Sequence, residues 1–260
     1  MKEKKGINKQ RFNNNKTKIL LGYLNSVEIN NSGSKRIPGL MIILALSAML
    51  SISCDKEGVS SKNLEAIDMG LSVKWGSCNV GASKPEEYGN YYAWGETKTK
   101  DDYSWPTYTL GIFELSSFEL EPRMTKYCED NRYGTVDNKT ILEKADDVAA
   151  KKLRGNWRIP TEAEWLELLH NCTWTRTTRN SINGYWFTSK KTGKSIFLPA
   201  AGYLREIFIC NEGSYGYYWS SSLDSYRSNK ASGLYFYYYG ANVFSSNRCD
   251  GFSVRPVCDY

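Results

Sequence analysis

The sequence predicts an α+β domain whose C-terminal third is mostly short strands and loops. Three observations carry that expectation. Residues 160–169, Pro-Thr-Glu-Ala-Glu-Trp-Leu-Glu-Leu-Leu, have the composition of a helix start. Residues 145–153 are rich in helix formers and are followed by Gly155. Beyond Asn171, aromatic and β-branched residues dominate in short runs divided by polar turns.

The helix at Thr161 is the most strongly specified element. Pro160 cannot donate a ladder hydrogen bond and biases Ile159 away from helical angles, so an extended Trp157-Arg158-Ile159 ends there. Thr161 then stands as N-cap with Glu164 three residues on in capping-box position, and Glu162 complements the helix dipole. Trp165, Leu168 and Leu169 share one face. His170, the one histidine, falls at the helix end, where a cation meets the negative end of the dipole.

Taken in order, residues 66–75 read as two extended pieces broken at Gly70, a hairpin, and residues 78–82 as a turn. Residues 91–96 are aromatic and β-prone, whereas 97–138 show no sustained period and read as a long irregular loop region. After the two helices, residues 185–188 and 195–199 read as strands separated by a turn at 191–194. Residues 200–203, 216–222, 234–239 and 252–257 complete the strand set.

The first 53 residues belong to a different kind of segment. They hold nine Lys/Arg and two Asp/Glu, which leaves 25 basic against 26 acidic residues in the rest of the chain. The net charge of +6 therefore belongs to the leader, and the folded part makes no general electrostatic case for nucleic-acid binding. Ser34-Lys35-Arg36 precedes an apolar run over 40–50, too short for an ordinary membrane span, and Ser51-Ile52-Ser53-Cys54 follows. This layout resembles a bacterial lipoprotein signal, which implies cleavage before Cys54, lipidation of Cys54 and attachment to the outer membrane with the domain exposed at the cell surface. Ser51 stands where such signals usually carry Leu. Residues 54–63 then read as a tether and 64–260 as the domain.

Six further cysteines, Cys78, Cys128, Cys172, Cys210, Cys249 and Cys258, leave fifteen complete disulfide pairings open. None has metal-finger spacing, and with one histidine there is no Cys/His set for zinc and little for acid/base chemistry. No metal, cofactor or catalytic residue is therefore assigned.

Nine of the nineteen tyrosines, with ten serines, lie between Gly213 and Tyr260. Alternation puts Leu234, Phe236 and Tyr238 on one side of a strand and Tyr235, Tyr237 and Tyr239 on the other. The flanking segments 224–232 and 242–250 are Ser, Asn, Asp, Arg and Tyr with hardly an aliphatic residue, and they read as loops. Rigid amphipathic Tyr with adaptable Ser, Asn and Gly is the composition of binding loops, so a ligand surface is expected between Tyr215 and Asp250.

The segments Met69-Gly70-Leu71-Ser72-Val73-Lys74-Trp75, Tyr92-Ala93-Trp94-Gly95-Glu96-Thr97, Trp157-Arg158-Ile159-Pro160-Thr161, Phe197-Leu198-Pro199-Ala200-Ala201-Gly202-Tyr203, Tyr218-Trp219-Ser220-Ser221 and Val254-Arg255-Pro256-Val257, in this order, resemble the Fibrobacter major paralogous domain family. That resemblance implies a C-type-lectin-like, formylglycine-generating-enzyme-like fold with short helices and a small twisted, mainly antiparallel sheet. It implies a surface protein binding an unknown protein or glycan. Residues 219–257 are also similar to variable regions diversified by retroelements. On that resemblance the contact positions are Tyr226, Ser228, Asn229, Tyr235, Tyr237, Tyr239, Asn242, Ser245, Ser246, Asn247 and Asp250, on a scaffold of Trp219, Leu234, Phe236, Gly251, Val254 and Arg255. Two alternatives stand beside binding: a formylglycine-generating-type oxidase using Cys249 and Cys258, and a structural or adhesin subunit of a surface assembly.

Overall fold

The computed structural model describes residues 64–113 and 122–260. The leader, Cys54 and the tether lie outside the described residues. The strands are β1 (Ala66–Ile67), β2 (Lys74–Gly76), β3 (Gly111–Ile112), β4 (Arg123–Met124), β5 (Trp157–Arg158), β6 (Cys172–Arg179), β7 (Ile182–Ser189) and β8 (Ser195–Pro199). They continue with β9 (Tyr203–Arg205), β10 (Phe208–Cys210), β11 (Gly216–Leu223), β12 (Lys230–Tyr237), β13 (Gly240–Asn247) and β14 (Val257–Cys258). The helices are α1 (Val148–Lys152) and α2 (Glu162–Asn171).

This corrects the α+β expectation. The described chain is mostly β, in several small antiparallel sheets ordered β1-β2-β14-β5, β6-β7-β8, β11-β12-β13, β9-β10 and β3-β4, with only two α-helices. Helix α1 is shorter than its composition suggests. Asp147 is its N-cap, accepting from Ala150 N at 3.0 Å and from Ile159 N at 2.8 Å, so residues 145–147 stay outside the helix. Helix α2 starts where the sequence places it, with both bonds of the capping box formed: Glu164 N to Thr161 Oγ1 at 3.2 Å and Thr161 N to Glu164 Oε2 at 2.7 Å. Arg158 forks onto the same Glu164 at 2.6 and 2.8 Å, which ties strand β5 to the helix cap.

Other departures follow from tertiary pairing. Residues 242–247, expected as loop, belong to β13, because each pairs with β12 in an unbroken register from Lys230↔Asn247 to Tyr237↔Gly240. A full ladder overrides the weak strand propensity of Ser and Asn. Strand β6 was not expected: it is rich in Thr and largely solvent-exposed, so it shows no apolar alternation. Residues 91–96 form one bridge, Tyr92↔Phe252, rather than a strand, and of residues 252–257 only Val257 enters a named strand. The hairpin across Gly70 forms, with Ile67 opposite Trp75.

The core has two main parts on opposite faces of β11, since successive strand residues point to opposite sides. Tyr218 joins Leu234, Phe236, Trp75, Trp165 and Phe187 on one side. Its neighbour Trp219 joins Phe252, Trp94, Tyr92 and Val254 on the other. Gly216 lies beneath the Phe236 ring, and a Cβ there would run into it. A smaller cluster gathers Tyr103, Tyr108, Met124, Cys128 and Cys249.

Arg255 is fully buried and bonded to no carboxylate among the described residues; its Nε donates to Asn79 Oδ1 at 2.9 Å, Nη1 to Gly76 O at 2.9 Å and Nη2 to Phe197 O at 2.8 Å. Replacing Arg255 by Met relieves a buried charge but leaves three buried acceptors without donors, at about 1–3 kcal/mol each. The net loss is expected to be roughly 3 kcal/mol. Urea unfolding monitored by tryptophan fluorescence checks it, and an unchanged midpoint would refute the role.

Candidate functional site

The antiparallel hairpin β12–β13 and its neighbour β11 carry an aromatic face. Register puts Tyr217 opposite Tyr235, and Tyr237 lies two residues further along the same side of β12. The rings stand nearly parallel. Tyr215 and Tyr237 lie 5.7 Å apart at 12°, Tyr235 and Tyr237 5.7 Å at 8°, Tyr215 and Tyr217 6.1 Å at 13°, and Tyr217 and Tyr235 6.4 Å at 25°. Phe244 meets Tyr217 and Tyr235 edge-on at 5.5 and 5.2 Å, and Tyr203 meets Tyr217 at 4.7 Å.

Trp219, Phe252 and their neighbours seal one end of this face, with the two rings stacked 4.0 Å apart. Towards Tyr235 and Tyr237 the face opens to solvent and both rings are half-buried. Beside it lies an open cleft of about 460 Å³, lined by Tyr203, Arg205, Tyr217, Lys230, Tyr235 and Phe244 and closed by Ser245, Ser246, Asn247 and Phe252. Arg205 is held in place by Asp250, its Nε and Nη2 donating to the carboxylate at 3.1 and 3.0 Å. Those bonds, followed by the opposing effect of burial, hold its guanidinium above the ordinary arginine range. Burial raises the Tyr203 and Tyr217 phenols above their ordinary values, so both stay protonated hydrogen-bond donors.

The structure sorts the expected contact residues into three groups. Tyr235, Tyr237, Ser245, Ser246 and Asn247 lie on the face or its cleft, and Asn242 is exposed opposite Tyr235. Tyr239, 80 % exposed in the β12–β13 turn, meets the edge of Tyr237 at 6.1 Å. Tyr226 is 84 % exposed in the loop before β12 and joins no ring stack among the described residues. That loop is an Asp224 turn whose Arg227 reaches Ser245 Oγ at 3.3 Å.

Ser228, Asn229 and Asp250 require correction, because all three are buried. Ser228 Oγ accepts from Glu129 N at 3.0 Å and its carbonyl from Arg248 at 2.9 Å; the Asn229 carbonyl accepts from Arg248 N at 3.3 Å. Asp250 spends its oxygens on Arg205 and on the Ser246 hydroxyl, 2.7 Å away. These are fold-holding groups rather than solvent-facing contacts. The alternation of Tyr238 is also corrected: it leaves the strand at the turn and is 61 % exposed instead of continuing the buried side of Leu234 and Phe236.

Sequence reasoning did not single out Tyr203, Arg205, Tyr217, Lys230 or Phe244. The Tyr-Gly-Tyr alternation at 215–217 was a usable signal for Tyr217. Nothing in the local sequence marks Arg205, which reaches the site only through the β9–β10 hairpin and its bond to Asp250.

Of the cysteines, Cys78, Cys128, Cys172, Cys210, Cys249 and Cys258 are all free. Cys249 sits in the core with Tyr103 and Tyr108, whereas Cys258 pairs across β14 with Lys74 and Trp157. Among the described residues no three His, Cys, Asp or Glu side chains are grouped to hold a metal, and no helix is long and apolar enough to cross a membrane.

The fold and site thus define a loop-rich, mostly β domain with an aromatic face bordering an open cleft. A family model described as a domain of unknown function, DUF8237, matches residues 175–257, the stretch from β6 to the start of β14 that contains this whole face. No curated protein and no solved structure matches the chain.

Burial raises the thiols of Cys249, Cys78, Cys258 and Cys172, the last to about 11. Alkylation of the folded protein at neutral pH is therefore expected to modify half-buried Cys210 first and Cys258 more slowly. Cys78, Cys128, Cys172 and Cys249 are expected to react only after denaturation. Peptide mapping by mass spectrometry reads the order, and early loss of the Cys249 thiol would contradict it.

Proposed function

We propose that this protein is a surface-anchored binding protein that holds its ligand on the tyrosine face and in the adjoining cleft. The observation that carries the reading is the row of Tyr215, Tyr217, Tyr235 and Tyr237 rings, ordered by stacking before any ligand arrives and open along one edge. Rings fixed in this way lose little side-chain entropy on binding. Ser245, Ser246 and Asn247 place hydroxyl and amide groups beside them. The resemblance of residues 219–257 to diversified variable regions supports the same face, since Tyr235, Tyr237, Asn242 and Ser246 stand on it over a buried Leu234 and Phe236.

Binding is favoured over oxidation because Cys249 and Cys258 belong to different parts of the fold, one inside an aromatic cluster and the other on the β14 ladder. Anchoring through a lipidated Cys54 is part of the same proposal. It rests on the basic leader, the apolar run and the small residues before that cysteine.

Screening the protein on a glycan array and against a peptide-display library tests the binding reading. Tyr235→Ala and Tyr237→Ala are each expected to weaken the selected ligand about tenfold or more while leaving the circular dichroism unchanged. Phe236→Ala removes a fully buried ring and is expected to cost about 3–5 kcal/mol of stability. Ligands whose binding ignores both tyrosines would sink the reading. For the anchor, growth with a fatty-acid analogue should label the protein, and Cys54→Ala should abolish the label; an unlabelled mature chain would exclude lipidation.

A further inference from the structure

Among the described residues, the cleft beside the tyrosine face is lined by two cations and no carboxylate. Asp250 lies beneath Arg205 with both oxygens engaged, one by Arg205 alone and the other by Arg205 and Ser246, and it is 1 % exposed. Among the described residues Arg205 Nη1 has no hydrogen-bond partner, and half of the side chain is in solvent. The Lys230 ammonium has no acid partner among the described residues. Two positive groups thus border one open cleft, the first held by a fixed fork and the second free to meet an incoming anion.

The tyrosines add hydroxyls rather than apolar area. Because the four rings stack on one another, their faces are largely occupied, and what they offer outward is their edges. The hydroxyls of Tyr215, Tyr235 and Tyr237 have no hydrogen-bond partner among the described residues. Ile207, Phe208 and Ile209, exposed on the β9–β10 hairpin beyond Arg205, do not line the cleft, whose apolar surface comes from Phe244, Phe252 and the tyrosine rings. Beside the Phe244 and Phe252 rings the cleft presents phenol, ammonium, guanidinium, amide and hydroxyl donors, and this donor set suits a ligand rich in oxygen acceptors and negatively charged.

We propose that the cleft takes an acidic polysaccharide, with Arg205 and Lys230 meeting its carboxylate or sulfate groups and Tyr215, Tyr235 and Tyr237 donating to its ring and hydroxyl oxygens. The proposal rests on the reading of the tyrosine face as a binding surface and names the ligand class for it. A neutral glycan would leave Lys230 without a counter-charge, so discrimination between acidic and neutral chains comes from the cations, while retention of either comes from the tyrosine row.

The test uses the full-length protein in detergent micelles, with polygalacturonate and chondroitin sulfate as acidic probes and dextran as the neutral one. Binding of at least one acidic probe is expected, weakening as salt is raised, with dextran bound far less well. Lys230→Gln is expected to weaken that probe about tenfold and flatten its salt dependence, and Tyr235→Phe, which keeps the stack but removes the hydroxyl, to weaken it about threefold to tenfold. Dextran bound as tightly as the acidic probes, Lys230→Gln without effect, or failure of both acidic probes would overturn the proposal. If a peptide ligand is instead lost in Tyr235→Ala, the ligand class is wrong and the binding face stands; if no ligand of any class responds to Tyr235→Ala, both readings fall.

Discussion

The constraint on which the structure depends is the break in the β11 ladder. Register between β11 and β12 shifts between Trp219 and Leu223, so the intervening backbone groups need partners elsewhere. Distant segments supply them. Trp165 Nε1 donates to Trp219 O at 3.2 Å, Trp94 Nε1 to Ser220 O at 2.8 Å and Leu142 N to Ser221 O at 2.9 Å, while Ser221 N donates to Pro160 O at 2.8 Å. Trp219 returns the connection through its own indole, which donates to Tyr92 O at 2.7 Å. One irregular strand therefore joins α2, the 91–96 segment and the 140s loop, and each junction fills a hydrogen bond that burial would otherwise leave unmade.

Two buried guanidiniums serve the same end where no regular ladder reaches. Arg255 gathers Gly76, Asn79 and Phe197, and burial lowers its pKa. Arg248 donates to the Tyr108 hydroxyl and to the carbonyls of Lys126, Tyr127 and Ser228, with the Trp94 ring 4.7 Å from its carbon. Neither side chain is paired with a carboxylate among the described residues, so carbonyl, amide and phenol oxygens carry the compensation for desolvation, together with aromatic rings around Arg248. Arg248 also brings residues 228–229 against the start of the 248–250 turn. These bonds extend the β12–β13 pairing, whose Lys230↔Asn247 end already brings the two polar stretches together.

The tyrosine face is the outer surface of a sheet whose inner surface is already committed. Leu234 and Phe236 are completely buried against α2 and the β6–β8 layer, so β12 cannot slip by one residue without turning them outward. That locked register holds Tyr235 and Tyr237 in position, and it lets polar and aromatic residues vary on the open side at small cost to the fold. The proposed division between fixed interior and binding exterior is thus a property of strand alternation.

What the sequence by itself determined is local and periodic. The Thr161–Glu164 capping box, the 195–199 strand, the hairpin over Gly70 and the two-sided alternation at 234–237 all depend on neighbours within a few residues, and each is present. Tertiary structure alone decided the rest. The balance tipped from α+β to mostly β because Asp147 bonds Ile159 and shortens α1, and because β6 and β13 are strands by pairing rather than by composition. Ser228, Asn229 and Asp250 read as loop polar residues, yet they are buried because Arg248, Glu129, Arg205 and Ser246 reach them from elsewhere in the chain. A short polar side chain carries no sign of whether its partner will be water or a distant guanidinium. That choice is made only when the chain closes, when the cost of an unpaired buried polar group selects the arrangement in which each one is met.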